Sequence, residues 1–446
     1  MKKKTTLFKG EKAEQKVLNK GAKFKLILSK DELTMMDNIG GSNRAIRNGM
    51  LQYKITMYNQ HKKNVNRSQL NDELTKLKKD PDFAWTRDAP ANVYQQSIID
   101  IMTSYKNFYE GNASFPKYRK KNNPNGMNFR LPREKAGFKF NRLSKRVVEI
   151  SGLSKFRKLR FRVGNRFKYI GNIIENCEVK SASFSKVGDD WFISLSYTYL
   201  KKEVEKEVDI ENGIGIDRGI TVSYKFSNNK SSQLPLKEIL VLENKIARFQ
   251  DHAARMKKGS NNKKNKFKQI GKLHRKIANI RKDFLHKLTT ELVNSHNFFV
   301  LEDLKITNMS KSASGTIENP GTMVAQKRGL NKSILRQGWG IFSILLKYKV
   351  EEIDGKLIFV NPKNTSRKCS SCGHIDKNSR TSQADFLCTK CGFECNADLN
   401  AAINIYELGL KKVADGKADT QNARVKTKRS KTTMPRINVK QSLQIA

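Results

Sequence analysis

Two pairs of cysteines and an aspartate lie close together near the C-terminal end of this chain. The pairs are Cys369/Cys372 and Cys388/Cys391, each with the spacing CxxC, and Asp398 follows them. Thiolates in two CxxC turns bind zinc tetrahedrally, and this spacing is typical of a zinc ribbon. We therefore predict one structural zinc site held by the four cysteines, next to a carboxylate that can do chemistry.

Three acidic residues occupy positions from which they could meet. Asp217 ends an apolar strand, Glu302 ends a second one, and Asp398 stands at the start of a predicted helix over Leu399–Tyr406. Strand ends share one edge of a sheet, and carboxylates that converge there repel one another unless cations intervene. Hard oxygen ligands favour Mg²⁺ or Mn²⁺, and two such ions about 3.5–4 Å apart can clamp a scissile phosphate. The three acids therefore predict a metal-dependent site that cleaves nucleic acid.

Each acid also has an ordinary structural explanation. Asp217 could cap a turn, Asp303 could be the functional partner in place of Glu302, and Asp398 could be a helix N-cap. The spacing alone leaves these alternatives open.

The remaining cysteines do not indicate disulfides. Cys395 is expected to be a packed thiol, with ligand exchange with Cys391 as the alternative, and Cys177 is expected in a core. Zinc-site spacing fits a reducing cytosol, so we expect a cytoplasmic protein.

The elements that must position these residues follow from the hydrophobic pattern. In the second half we predict strands at 213–220, 221–226, 297–301 and 356–360, and helices at about 237–257, 266–296 and 331–349.

The first half combines helices with a β-rich segment. We predict a first strand Phe24–Leu28 with a cap at Ser29, a helical region 30–79 interrupted at Gly40–Gly41, a helix at about 90–109, and a hairpin of 179–187 with 191–199. The basic run 115–121 contains Tyr118 and is either a solvated loop or a phosphate clamp with a stacking ring. A shift in composition at 203–212 marks the main boundary.

The charge balance indicates a polyanionic partner. Lys and Arg number 88 against 42 Asp and Glu, a formal net charge of +46. Nucleic acid neutralises such a charge, with affinity driven by counterion release. We see no apolar run of transmembrane length and no secretory signal, so we expect no membrane partner.

Several motifs together resemble one protein family. They are Gly215–Gly219 (GIDRG), Leu301–Lys305 (LEDLK), Asn396–Ala402 (NADLNAA) with the cysteine pairs before it, and, in supporting positions, Arg281–Lys287 and Asn361–Lys368. In this order they are similar to the split RuvC motifs of TnpB (OrfB), the transposon-encoded RNA-guided endonucleases related to type V CRISPR effectors. The match is strong over about 200–405 and only in outline before it.

The resemblance implies an α+β multidomain architecture. An N-terminal wedge β-barrel with an inserted helical recognition lobe would occupy 1–205, with the helices at about 30–110. An RNase H-like RuvC domain with a mixed sheet would occupy 206–410 and carry a zinc-ribbon insert at 345–397. A disordered basic tail would follow at 411–446.

The resemblance also implies roles and partners. Asp217, Glu302 and Asp398 would be the catalytic acids and bind Mg²⁺ (or Mn²⁺), and the four cysteines would bind one Zn²⁺. Arg380 resembles an arginine that some relatives place near the active site, although an exposed loop arginine is the commoner case. The partners would be a guide RNA and target DNA, in a monomeric ribonucleoprotein that is nucleoid-associated when on DNA.

Three alternatives remain beside an endonuclease associated with a transposable element. They are a type V CRISPR effector, a nuclease-idle RNA-guided DNA-binding repressor, and a zinc-ribbon RNA-binding protein that does not cleave.

Overall fold

The computed structural model describes residues 15–121, 126–141, 143–153, 157–163, 167–202 and 208–415. These residues form two units, one within 15–202 and the other within 208–415. None of the helices in these ranges combines the length and apolar character needed to cross a membrane.

The N-terminal unit places its helices mainly between the first and second strands. Its elements are β1 (Gln15–Ile27), α1 (Lys30–His61), α2 (Arg67–Lys79), a 3-10 helix (Pro81–Asp88), α3 (Ala91–Tyr109), β2 (Asn128–Pro132), β3 (Phe138–Phe140), β4 (Val147–Ile150), β5 (Lys158–Phe161), α4 (Phe167–Asn176), β6 (Glu178–Val187) and β7 (Asp190–Lys202).

One antiparallel sheet of seven strands, in the order β2-β6-β7-β1-β5-β4-β3, organises this unit. The predicted hairpin is confirmed as β6 and β7, and alternate residues of β7 from Trp191 to Tyr197 are buried. The predicted cap is also confirmed, because the Ser29 hydroxyl accepts the Glu32 N–H at 3.2 Å while the Glu32 carboxylate accepts the Ser29 N–H. This capping box begins α1.

The predicted interruption of the first helix at Gly40–Gly41 is wrong. Helix α1 continues through both glycines, because Gly40 is needed for close packing and not for a turn. A Cβ on Gly40 would lie 2.9 Å from the Trp191 indole, and the indole N–H donates to Asp37 at 2.9 Å.

The basic run 115–121 is not a free loop. The Asn48 side chain bonds both the N–H and the C=O of Arg119, at 2.9 and 3.0 Å, and Phe115 packs edge-on against Tyr105. Tyr118 nevertheless stays 39% exposed, and its hydroxyl donates to Gln52. The run is therefore a strap fixed along α1, which keeps its lysine side chains on the surface.

The second unit contains the predicted acids and cysteines. Its elements are β8 (Ile214–Asp217), β9 (Tyr224–Phe226), β10 (Ser231–Ser232), α5 (Leu236–Ala254), α6 (Asn261–Ser295), β11 (Phe298–Glu302), α7 (Ile306–Met309), α8 (Val324–Gln337), α9 (Trp339–Glu352), β12 (Lys356–Val360), a 3-10 helix (Lys377–Ser379), β13 (Asp385–Leu387), β14 (Glu394–Asn396) and α10 (Ala397–Ala414).

A mixed sheet in the order β10-β9-β8-β11-β12 forms the centre of this unit. Strands β8, β11 and β12 are parallel to one another, whereas β9 pairs antiparallel with both β8 and β10. Every residue of β11 is buried, as expected for a central parallel strand with both faces covered. The predicted zinc-ribbon insert, 345–397, begins with residues of this layer. Residues 345–360 form the end of α9, the turn after it and β12, and the small β13–β14 sheet follows them.

Two helix predictions in the second unit differ from the structure. The single helix expected at 331–349 is two helices, because Gly338 adopts a left-handed φ of +73° and lies against Arg281 and Leu285. Helix α10 extends well past the predicted end at Tyr406, and its last turns include the first residues of the expected 411–446 tail. The rest of that tail, from 416, lies outside the described residues.

Helix α10 packs directly on the sheet through glycine contacts. A Cβ on Gly215 in β8 would lie 2.3 Å from the Ala402 carbonyl oxygen, and one on Gly409 would lie 2.3 Å from a Val300 methyl group. The absence of side chains at these two positions therefore sets how closely α10 approaches the strands that end in Asp217 and Glu302.

We predict that Gly215→Ala lowers the free energy of unfolding of the chain by about 1–3 kcal/mol, the usual cost of overpacking a core. The matched control is Gly271→Ala in α6, where a Cβ would meet nothing within 4 Å. That change should raise stability by up to about 1 kcal/mol, since alanine is the better helix former. Urea unfolding of both variants measures the difference, and equal effects would show that the α10 contact is not tight.

Candidate active site and metal centre

The parallel ladder brings two of the predicted acids to one edge of the sheet. Leu301 of β11 lies opposite Ile216 of β8, so the next residue on each strand, Glu302 and Asp217, reaches the same edge. The third acid, Asp398, lies in the first turn of α10, whose close packing brings that turn to this edge. The structure thus gathers all three predicted carboxylates around the ends of β8 and β11.

Asp217 experiences the charges of both other acids. Burial raises the pKa of its carboxyl group to about 7, and the carboxylates of Glu302 and Asp398 add to that rise. The Arg218 N–H, which donates to Asp217 at 2.8 Å, and the Arg380 guanidinium act in the opposite direction. A cation bound beside this carboxyl group would stabilise its ionised form and offset the negative charges of the other two acids.

Glu302, and not its neighbour Asp303, faces the site. Glu302 is 7% exposed, and its carboxylate accepts the Thr365 hydroxyl at 2.7 Å. Burial raises its pKa, while Thr365 and the nearby Arg218 lower it. Asp303 instead forms an exposed ion pair with Lys305 at 2.6 Å, so the geometry favours Glu302 over the alternative that the sequence left open.

Arg218 braces this edge from the interior. Its side chain is buried, with 5% exposure. The guanidinium donates to the Glu302 backbone carbonyl and, at 3.0 Å, to the Ser343 hydroxyl. Burial lowers its pKa, and the charges of Glu302 and Asp217 oppose that change. A buried cation therefore stands directly behind two of the acids.

Asp398 is not the helix N-cap, so that alternative is wrong. Asn396 is the cap and accepts the Leu399 N–H at 3.1 Å, which leaves the Asp398 carboxylate available. Arg380 reaches Asp398 at 3.3 Å and also donates to the Gln383 carbonyl at 2.7 Å. Arg380 is thus held beside the acids and is not a free loop arginine.

The donor set suits hard divalent cations, because carboxylate oxygens are the ligands that Mg²⁺ and Mn²⁺ prefer. Among the described residues, the four cysteines are the one group of potential metal ligands whose atoms all lie within 4.8 Å of one another. The three acids are less tightly clustered than the cysteines, and they differ from them in offering only oxygen ligands.

The four predicted cysteines do form a compact metal centre. The Sγ atoms of Cys369 and Cys391 lie 3.8 Å apart, and those of Cys372 and Cys388 lie 3.6 Å apart. Tetrahedral zinc with bonds of about 2.3 Å requires sulfurs about 3.8 Å apart. The cluster can therefore hold a structural metal such as zinc.

The glycines after each cysteine pair, Gly373 and Gly392, have φ values of +76° and +70° and allow the tight turns. Cys395 lies outside the cluster, partly buried on β14, as expected for a packed thiol. Cys177 is partly buried against the N-terminal core.

Sequence reasoning missed the polar residues that support the acids. They are Arg218, Thr365, Asn400 and Asn404, all buried. Two asparagines four residues apart in the otherwise apolar stretch 399–405 were a usable signal, because buried amides need partners. Thr365 lies in the 361–368 motif, but nothing in that irregular segment indicated its contact with Glu302.

Comparison with known proteins places the chain among RNA-guided nucleases. The family described as "Probable transposase" (OrfB_IS605) matches residues 196–313, and the family described as "Cas12f1-like, TNB domain" matches 339–405.

Two relatives cover most of the chain. The protein named "Putative RNA-guided DNA endonuclease InsQ" of Escherichia coli K12 is 35% identical over 77% of this chain and 80% of its own length. A "Putative RNA-guided DNA endonuclease" of Streptomyces pristinaespiralis is 23% identical over 95% of this chain and 96% of its own.

The fold is also similar to a solved structure. A chain in the cryo-EM structure of a Cas12f1-sgRNA-target DNA complex aligns with a TM-score of 0.54 and 16% identity, over 85% of this chain and 83% of that one. This similarity confirms the predicted α+β fold class.

We predict that Asp217→Asn stabilises the metal-free protein at neutral and alkaline pH. Because the folded-state pKa of Asp217 is raised to about 7 from 3.8, the folded state binds the extra proton between these values. The contribution of the Asp217 carboxyl group to the free energy of unfolding is therefore fully present below about pH 4, and it is lost as the pH rises through about 7.

Urea unfolding in buffer without Mg²⁺ or Mn²⁺ should show the Asp217→Asn variant more stable than wild type at pH 8 and equal to it near pH 4. Asp303→Asn changes an exposed acid paired with Lys305 and is the control. Its difference in stability from wild type should not grow between pH 4 and pH 8. A gap that is constant across pH would contradict the raised pKa.

We also predict one zinc ion per chain, lost in Cys388→Ser because a three-thiolate site binds zinc far more weakly. Cys395→Ser should keep the full zinc content. Elemental analysis of the purified variants measures this, and zinc loss from the Cys395 variant alone would place the ligand set elsewhere.

Proposed function

This chain belongs to the TnpB (OrfB) family, and from that premise we propose that it is an RNA-guided DNA endonuclease whose catalytic acids are Asp217, Glu302 and Asp398. The observation that supports this most is the meeting of the three acids at one sheet edge. A protein that only binds RNA or DNA has no need for three mutually repelling, partly buried carboxylates.

We assign the second unit to an RNase H-like RuvC domain. Its support is the mixed sheet with β8, β11 and β12 parallel and the acids at the ends of β8 and β11. The domain would span about 206–410, with the cysteine centre as a zinc-ribbon insert within 345–397 that handles target nucleic acid.

We assign the N-terminal unit to the wedge barrel and recognition lobe. The seven-stranded sheet would be the wedge, and α1 to α3 the lobe that follows its first strand. The strap 115–121 supports binding of a phosphate backbone here, because its backbone is fixed to α1 while Lys117, Lys120 and Lys121 remain exposed.

Asp217, Glu302 and Asp398 would hold Mg²⁺ or Mn²⁺. Two such ions, when bound, activate the attacking water and stabilise the leaving oxygen of a phosphodiester. The protein's own part is to fix the acids on rigid elements and to keep Arg218 and Arg380 beside them. Arg380 donates to Asp398 and would in addition contact a phosphate of the bound nucleic acid.

Guide pairing would supply sequence specificity, while the protein contacts backbone and a short flanking motif. The net charge of +46 supports an extended grip on RNA and DNA. The working form would be a monomeric ribonucleoprotein, located in the cytoplasm and on the nucleoid.

We predict that the chain copurifies with one RNA species and cleaves DNA that matches the guide portion of that RNA. Asp217→Ala should lower the cleavage rate at least about a hundredfold, since the site loses several kcal/mol of metal-ion stabilisation of the transition state. Sequencing of the bound RNA, followed by cleavage assays in Mg²⁺, measures both parts.

Asp303→Ala is the control and should cleave at close to the wild-type rate. Wild type that binds RNA and matched DNA but leaves it intact would support a repressor instead. An RNA transcribed with a repeat array, and not from a transposon end, would support the CRISPR effector alternative.

A further inference from the structure

A chain of buried hydrogen bonds begins at the Glu302 carboxylate. The Thr365 hydroxyl lies 2.7 Å from Glu302 Oε1 and 3.0 Å from the Pro362 carbonyl oxygen. A hydroxyl has one proton to donate, and an ionised carboxylate is the stronger acceptor. The hydroxyl therefore donates to Glu302 Oε1 and fixes the orientation of the carboxylate, whose remaining lone pairs are left for the site.

Thr365 itself lies on irregular backbone between β12 and the first cysteine pair, so no strand ladder fixes it. The Asn404 side chain provides that support. Its amide Nδ2 donates to the Thr365 carbonyl at 2.9 Å and to the Lys368 carbonyl at 2.6 Å. One side chain thus bridges both ends of the 365–368 turn.

Asn400 holds the next residues of the same segment. Its Nδ2 donates to the Lys368 carbonyl at 2.7 Å, and its Oδ1 accepts the Ser370 N–H at 2.9 Å. Both asparagines have 0% exposure and lie one turn apart on α10. We name Asn400 and Asn404 together the amide clamp.

We propose that Thr365 is a positioning residue for Glu302, and that the amide clamp acts on Glu302 through Thr365. Helix α10 then positions two of the three acids, Asp398 directly from its first turn and Glu302 through the clamp. The inference rests on the proposed function, because it assumes that Glu302 is a metal ligand.

We expect loss of the Thr365 hydroxyl to act first on the affinity of the site for a divalent cation, and only through it on the rate of DNA cleavage. A carboxylate held by a hydrogen bond keeps one orientation, and loss of such a partner costs a metal site about 10- to 100-fold in affinity. A purely structural Thr365 would instead affect folding or zinc content and leave the affinity for Mn²⁺ unchanged.

The test is Mn²⁺ titration of the full-length, zinc-loaded protein by calorimetry, with free Mn²⁺ checked by electron paramagnetic resonance. Thr365→Val removes the hydroxyl and keeps the shape, and we expect about 10- to 100-fold weaker binding. Thr365→Ser restores the hydroxyl and should bind close to the wild-type value. Thr365→Ala, which adds no atom to the buried site, gives the same comparison if the valine variant is unstable.

A double-mutant cycle tests the clamp. Asn404→Leu keeps the side-chain shape and removes the amide, and it should weaken Mn²⁺ binding in the wild-type background. In the Thr365→Val background the same change should cost much less, because the clamp then has no hydroxyl to position. Strictly additive losses would overturn the claim that Asn404 acts through Thr365.

Unchanged Mn²⁺ affinity in Thr365→Val, or equal losses in the valine and serine variants, would overturn the role of the hydroxyl. Asp217→Asn serves as the reference that lacks an acid. If wild type bound Mn²⁺ no better than this reference, the proposed function would fail, and the inference with it. Wild-type binding with an unaffected Thr365→Val variant would remove only the inference.

Discussion

Repulsion among three carboxylates is the constraint on which the second unit depends. Asp217, Glu302 and Asp398 come from two strands and a helix that are far apart in the chain, and none would stay beside the others without rigid support. Burial is the main cause of the raised pKa of Asp217, and the charges of Glu302 and Asp398 raise it further. The fold must therefore supply both rigidity and compensating positive charge.

Rigidity comes from elements that have few ways to move. The β8–β11 ladder fixes two acids in register, and α10 packs closely on these strands at Gly215 and Gly409. Positive charge comes from two sides, with Arg218 behind Glu302 and Arg380 beside Asp398. The N-terminus of α10 adds its partial positive charge at Asp398. These supports keep the acids together in the absence of an ion without neutralising them fully.

Much of this arrangement could be predicted because it follows from local patterns. Zinc spacing predicts the cysteine cluster, and apolar runs that end in Asp217 and Glu302 predict strands with acids at their ends. Close packing could not be predicted in the same way. Gly40 lies inside α1 against the Trp191 indole, whereas Gly338 ends α8. Which role a glycine takes depends on partners distant in sequence.

The supporting residues were hidden for a related reason. Thr365 contacts Glu302 only because two asparagines of α10 hold an irregular segment, and no periodicity marks such a segment. A buried polar group requires a partner, but the sequence does not say which one. Buried amides in an apolar stretch of a helix therefore indicate that a polar network exists, whereas its members become known only from the structure.

The electrostatics also decide how the site would take up a cation under the proposed function. Because the pKa of Asp217 is raised to about 7, its carboxyl group keeps a proton at neutral pH more readily than an ordinary aspartate does. Metal ligands must be deprotonated, so an incoming cation competes with that proton. Once bound, the ion would also offset the charges of Glu302 and Asp398, which add to the effect of burial on that pKa. The same crowding that strains the metal-free site thus favours the metal-bound one, and Arg218 and Arg380 limit the strain to a level that the fold can hold.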